Sequence, residues 1–282
     1  MYSTFFGFQE KPFSILPDPD FLYMSKRHQL AYTMLEYGVR NEAAFTVICG
    51  EVGCGKTTLV RHLLNELSDE FCVGLVSNTH PDIQDLLEWI LMSFGVPYDG
   101  LTPVARYDAF QQFLINEYGK GKRTLLIVDE AQNLSTAALE SLRMLSNINA
   151  DKDQLLQVVL VGQPQLKEML NRPDMRQFAQ RVASDFYIPP LSTQEVARYI
   201  DHRVKIAGRQ TPLFSIRAIA KIADATRGIP RSINVLCDMV LVYAFAAGQT
   251  EIKVSMVDDV LRDKAEFGLI ALPGQTEAGS VE

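Results

Sequence analysis

The chain has 282 residues, 47% hydrophobic and 22% charged, with a formal net charge of −7. Such a composition builds a packed core and excludes global disorder, and its acidic balance argues against a protein that coats nucleic acid through bulk electrostatics. The four cysteines (Cys49, Cys54, Cys72, Cys237) show neither metal-site nor disulfide-framework spacing.

In chain order, Phe5–Phe13 is aromatic-rich and is followed by Pro17, Asp18, Pro19 and Asp20, which break regular structure. This reads as an extended segment that packs its phenylalanines against a later domain. From Ser25 to about Asn41, apolar residues at helical spacing (Leu30, Met34, Leu35, Val39) predict an amphipathic helix. A short apolar run, Phe45–Cys49, then leads through a glycine-rich turn into a helical stretch over Thr57–Leu67. Strand-like runs recur at Cys72–Ser77, Thr124–Val128 and Leu156–Val161, with helical patterns at Ile83–Phe94, Arg106–Tyr118 and Ser135–Ile148. Runs that are apolar throughout predict strands buried on both faces of a parallel sheet, and their alternation with helices predicts an α/β layered domain.

After a strand-like Phe186–Ile188 and the Pro189–Pro190 pair, the pattern is purely helical. Ser192 to Glu195 spell a capping box, and helices are expected over Thr193–Ala207, Ser215–Thr226, Pro230–Ala247 and Met256–Phe267. The expected organisation is a base domain over residues 1–190, an all-helical domain over 191–268 and a disordered tail over 269–282. No stretch has the length of a bilayer span, and the N-terminus lacks the basic start and apolar run of a secretory signal. A cytoplasmic location is expected, at most peripheral to the inner membrane through partners.

Residues Gly50, Glu51, Val52, Gly53, Cys54, Gly55, Lys56 and Thr57 fit G-x-x-x-x-G-K-[ST], with Thr58 following, between a predicted strand and a predicted helix. Glycines let the backbone curl so that successive N–H groups face phosphates, and the helix N-terminus adds its positive end. Lys56 then reaches the β/γ-phosphates of ATP and the Thr57 hydroxyl ligates Mg²⁺. The strand Thr124–Val128 ends in Asp129 and Glu130. Asp129 is expected in the Mg²⁺ shell, and Glu130 is suited to orient and polarise the attacking water.

Gln163 follows the third apolar strand, where strand C-termini line a ligand crevice, so contact with the γ-phosphate or the water competes there with a plain Gly-Gln-Pro turn. Arg176 and Arg181, with Arg172 as a weaker third, are candidates for an arginine supplied to a neighbouring subunit's site, against the reading of solvated surface charges. Arg231 sits in the first turn of a helix begun by Pro230, where the dipole disfavours a cation, and that conflict hints at a reach toward ATP.

Together, the strand–GEVGCGKTT–helix unit, LLIVDEAQNL, the VGQP turn, FAQRV and GIPR stand in AAA+ order, and FFGFQEKPFSILPDPDFLY resembles the start of the ExeA-like secretion ATPases. The resemblance is nearest to the ATPases associated with exosortase and exopolysaccharide loci and covers roughly residues 1–268. It implies a P-loop parallel sheet with flanking helices plus a small C-terminal helical lid. It also implies Gln163 as first sensor, Arg231 as second sensor on the lid, and Arg181 before Arg176 as the finger. The implied function is an ATPase, working as a homo-oligomeric ring or dimer, that drives or regulates a protein partner in an envelope, exopolysaccharide or secretion system. ExeA-like proteins commonly continue into a membrane span and a peptidoglycan-binding domain; this sequence stops short of both, so the polysaccharide-locus branch is the one expected. The rival is an ATP-dependent DNA-binding ATPase for transposition target selection. The acidic balance speaks against nucleic acid as a partner, and only short basic clusters (Lys26–Arg27, Lys120–Arg123) speak for it, so it is the less favoured partner.

Overall fold

Every strand of the central sheet runs parallel to its neighbours, as continuous apolar runs require when both faces are covered. The computed structural model describes residues 2–16, 18–67, 69–77, 85–150 and 152–268. In chain order the elements are α1 (Tyr2–Phe6), α2 (Lys26–Arg40), β1 (Phe45–Gly50), α3 (Lys56–Glu66), β2 (Phe71–Val76), α4 (Leu86–Ser93), α5 (Pro103–Gly119) and β3 (Arg123–Val128). Next come α6 (Thr136–Leu145), a small antiparallel hairpin of β4 (Asn149–Ala150) and β5 (Asp153–Gln154), β6 (Leu156–Gly162), α7 (Pro164–Leu170), α8 (Arg176–Ala179) and β7 (Val182–Ile188). The helices α9 (Thr193–Ile206), α10 (Ile216–Thr226), α11 (Pro230–Ala246) and α12 (Val254–Phe267) complete the described chain.

The described residues divide into two compact units. One, the sheet unit, comprises those within Arg27–Gly50 and Leu59–Ile188. The other, the helical unit, comprises those within Met1–Lys26, Glu51–Thr58 and Pro189–Glu282.

In the sheet unit the strand order is β2-β3-β6-β1-β7. On one face, Phe45, Val47, Leu126, Val128, Val158 and Leu160 join residues of α4 to α8 in a single apolar core. On β1, Thr46 points the other way, toward α2: a Cβ on Gly38 would fall 2.2 Å from the Thr46 hydroxyl oxygen, so only glycine lets that helix come so near. Ser184 of β7 donates its hydroxyl to the Met34 carbonyl of α2. The parallel sheet with flanking helices is the architecture that the alternating pattern predicts.

In the helical unit, Tyr2, Phe6, Phe8, Phe13 and Phe21 share one core with Val196, Ile200, Ile222, Leu236, Val240 and Val257. The N-terminal segment thus packs its aromatics as the sequence leads one to expect, although Tyr2–Phe6 forms a short helix instead of extended chain. It is held by polar contacts as well: Arg209 donates to the Phe6 carbonyl, the Gln9 N–H donates to the Ala207 carbonyl, and the buried Arg203 donates to the carbonyls of Pro12 and Ser14. Ser192 and Glu195 form the expected reciprocal capping box at the start of α9. The predicted start of α4 at Ile83 and the expected disordered tail lie outside the described residues.

Candidate functional site

At the C-terminal edge of a parallel sheet, the strands deliver their following residues to one side, which is where α/β folds hold ligands. Here that edge presents, across neighbouring strands, Asp129 and Glu130 after β3, Gln163 after β6 and Gly50 as the last residue of β1. The register makes them neighbours, since Val128 pairs with Leu160, and Cys49 with Gly162. Gly50 is tightly seated: a Cβ there would lie 2.7 Å from the Ile188 carbonyl oxygen of β7.

From Gly50 the chain enters the glycine loop. Gly53 and Gly55 take φ of +82° and +90°, left-handed values that glycine adopts at little cost and that curl the main chain. The Cys54 N–H donates to the Glu51 carbonyl at 3.2 Å, and the Lys56 ammonium folds back to the same carbonyl at 3.0 Å. Lys56 is buried, with 6% exposure, whereas Val52 and Thr57 are exposed and Thr58 is half-buried at the first turn of α3. Burial pushes the Cys54 thiol up to about 11. A buried, protonated thiol is a space-filler and a poor nucleophile.

Within the same helical unit, the N-terminus of α11 meets this loop. The Arg231 N–H donates to the Gly53 carbonyl at 3.2 Å, and a Cβ on Gly53 would lie 2.5 Å from the Arg231 Cβ. The side chain of Arg231 is exposed. Gly228, at φ +71°, sets up this approach. A Cβ there would collide with the Leu191 carbonyl oxygen at 1.9 Å, and its own carbonyl accepts from the Leu191 N–H.

The two acids are locally constrained. Glu130 lies in the left-handed region at φ +53°, unusual for a residue with a side chain, and its N–H donates to the Asp129 carboxylate at 2.9 Å. One Glu130 carboxylate oxygen, Oε2, accepts from the amides of Gln132 at 2.6 Å and Gln163 at 3.1 Å. Gln163 is therefore brought to Glu130. Gln132 is a site neighbour that sequence reasoning passed over, although its amide stands only two residues beyond the acid pair.

The candidate arginines differ in setting. Arg176, at the start of α8, and Arg172 are exposed. Arg181 is half-buried and donates to the Ser146 hydroxyl at 3.0 Å.

Within the loop, the curled amides, the Lys56 ammonium and the Thr57 hydroxyl suit a polyphosphate; after β3, the Asp129 carboxylate is a hard oxygen ligand of the kind Mg²⁺ takes. The fold is that of the AAA+ P-loop proteins. A family model described as an AAA domain matches residues 39–170. Among solved structures, the chain resembles Pyrobaculum aerophilum Cdc6p (TM-score 0.65, 19% identity, covering 94% of this chain and 74% of that one). It also resembles the ADP form of Aeropyrum pernix ORC2 (TM-score 0.64, 20% identity, 98% and 80%) and the Thermotoga maritima RuvB branch-migration motor (0.56, 17%, 88% and 73%).

More particularly, the chain is a homologue of the ExeA-like general secretion pathway protein A. It is 43% identical to that protein of Aeromonas hydrophila over 255 residues, 89% of this chain. The chain spans 46% of that relative's length. Among the described residues no helix is long and apolar enough to cross a membrane.

Proposed function

We propose that this chain binds MgATP on the loop Gly50–Thr58 and hydrolyses it with the acids that follow β3. The observation that carries the reading is the sheet edge itself: Asp129–Glu130, Gln163 and the start of the glycine loop leave three adjacent parallel strands on the same side. In this reading the main-chain amides of residues 51–58 and the Lys56 ammonium grip the β- and γ-phosphates. Thr57 and Asp129 hold Mg²⁺, whose chemistry is to neutralise charge on the phosphate oxygens. Glu130 orients the attacking water and draws its proton, and Gln163 contacts the γ-phosphate or that water. Arg231, whose main chain meets Gly53, reads the nucleotide from the helices over 191–268, which act as a lid.

Arg181 or Arg176 completes the site of a neighbouring copy, so that the working form is a homo-oligomer. The exposure of Arg176 suits that role; Arg181 would first release Ser146. The partner is a component of a secretion or related envelope or polysaccharide export system, met from the cytoplasm; the name of the homologous secretion-pathway protein supports the secretion part of this reading.

The test is steady-state ATP hydrolysis as a function of protein concentration, for the wild type and for Lys56→Ala. The proposal expects specific activity to rise with concentration and Lys56→Ala to lose roughly 100-fold or more, the scale for removing a group that stabilises transition-state charge. Activity of the variant equal to wild type would remove the loop from the reaction. Specific activity independent of concentration would remove the shared site.

A further inference from the structure

Gln132 uses both ends of its side-chain amide. Its oxygen accepts the Gln163 main-chain N–H at 2.9 Å, the N–H that opens α7 after β6. That donor fixes which end of the amide is which, because an N–H can only face the oxygen. The Nε2 end is thereby turned to Glu130, where it donates to Oε2 at 2.6 Å. Gly162 keeps the space open: its notional Cβ would stand 3.1 Å from the Gln132 Oε1.

The backbone under Gln132 is equally determined. Ala131–Asn133 form one tight 3-10 turn, closed by Asn133 N–H to the Glu130 carbonyl and Leu134 N–H to the Ala131 carbonyl, with Ala131 and Leu134 buried. The carboxylate at its start projects from a left-handed residue. A long acidic side chain there has several rotamers of similar energy, and two convergent amide donors on one oxygen select among them.

We propose that Gln132 is a positioning residue for the reaction: it aims the Glu130 carboxylate and ties that aim to the end of β6. It acts through Glu130 and rests on the hydrolytic reading above. Oriented groups contribute to rate only when the productive geometry is held before reaction, so the expected loss falls on kcat and leaves nucleotide binding intact.

Two substitutions separate aiming from mere support. Gln132→Ala removes both contacts. Gln132→Glu has the same shape and keeps an oxygen for the Gln163 N–H, but it replaces the donor to Glu130 with a second acidic group. If Gln132 only braced α7, the Glu variant would restore turnover. The proposal expects both variants to lose roughly 10- to 100-fold in kcat, the range for a hydrogen bond to a charged group. ATP affinity, read by titration with a fluorescent analogue, stays within about twofold. In a Glu130→Gln background, adding Gln132→Ala should cost little further, since the two residues act as one unit.

Wild-type turnover in Gln132→Glu, or a fully additive further loss in the double variant, overturns the proposal. Full turnover in Glu130→Gln alone overturns both this proposal and the hydrolytic reading beneath it. Lost turnover in Glu130→Gln with normal turnover in both Gln132 variants overturns the positioning role only.

Discussion

Gly53 combines a left-handed main chain with a neighbour at van der Waals distance, so it tolerates a side chain on neither count. Placing a Cβ at φ +82° costs about 1–2 kcal/mol, and the overlap with Arg231 at 2.5 Å adds to it. Gly53→Ala should lower the denaturation midpoint and weaken ATP binding roughly tenfold or more, both read by titration. Cys54, one residue on, is fully buried and its thiol is pushed up to about 11. A thiol whose folded pKa is raised from 9.0 holds its proton in the folded state after the unfolded chain has released it. Its contribution to stability is thus full below about pH 9 and lost as pH rises toward about 11. Ellman-type labelling of native protein at pH 8 should spare Cys54, and fast labelling there would contradict its burial. The phosphate loop was legible because its residue types and spacing are themselves the chemistry. Gln132 was not: an amide two residues past an acid is unremarkable until Gln163, 31 residues later, is folded against it.

The elements divide by whether their periodicity survives their length. β1 and β6 are buried along their whole length and β3 from Thr124 onward, so their apolar runs announce them. β7 was read only at its end, Phe186–Ile188, because it is an edge strand in which the buried Ser184 and Ile188 alternate with exposed Ala183, Asp185 and Tyr187. The β4–β5 hairpin and α8 span two to four residues each, too few for any period to register. The N-terminal segment takes several of its contacts from one side chain of α9. Arg203 lies 4.7 Å from the Phe21 ring centroid, donates to the Pro12 and Ser14 carbonyls and reaches the Tyr199 hydroxyl at 3.2 Å. Arg203→Ala should cost about 2–3 kcal/mol, the value of hydrogen bonds made by a charged group. Thermal unfolding should start roughly 5 °C or more lower. Arg203→Lys should recover only part of this, since one ammonium cannot span the same carbonyls and ring. Equal melting of Arg203→Ala and wild type would show that the aromatic core and the remaining polar contacts retain the segment without Arg203.

For the whole molecule, the sequence conveyed a parallel sheet followed by helices. The allegiance of distant segments came only from the structure. Residues within Met1–Lys26 and Glu51–Thr58 gather with the C-terminal helices. Contacts such as Tyr2 with Asp238, or Gly53 with Arg231, join positions far apart in the chain, and no local pattern encodes them. The loop therefore belongs to one compact unit, while the strand that feeds it and the acids after β3 belong to the other. The most direct measurement of the proposed hydrolysis is MgATP binding and turnover by Glu130→Gln. Binding at wild-type affinity and turnover reduced about 100-fold or more, the range for losing a general base, are expected. Turnover at the wild-type rate would contradict the hydrolytic reading.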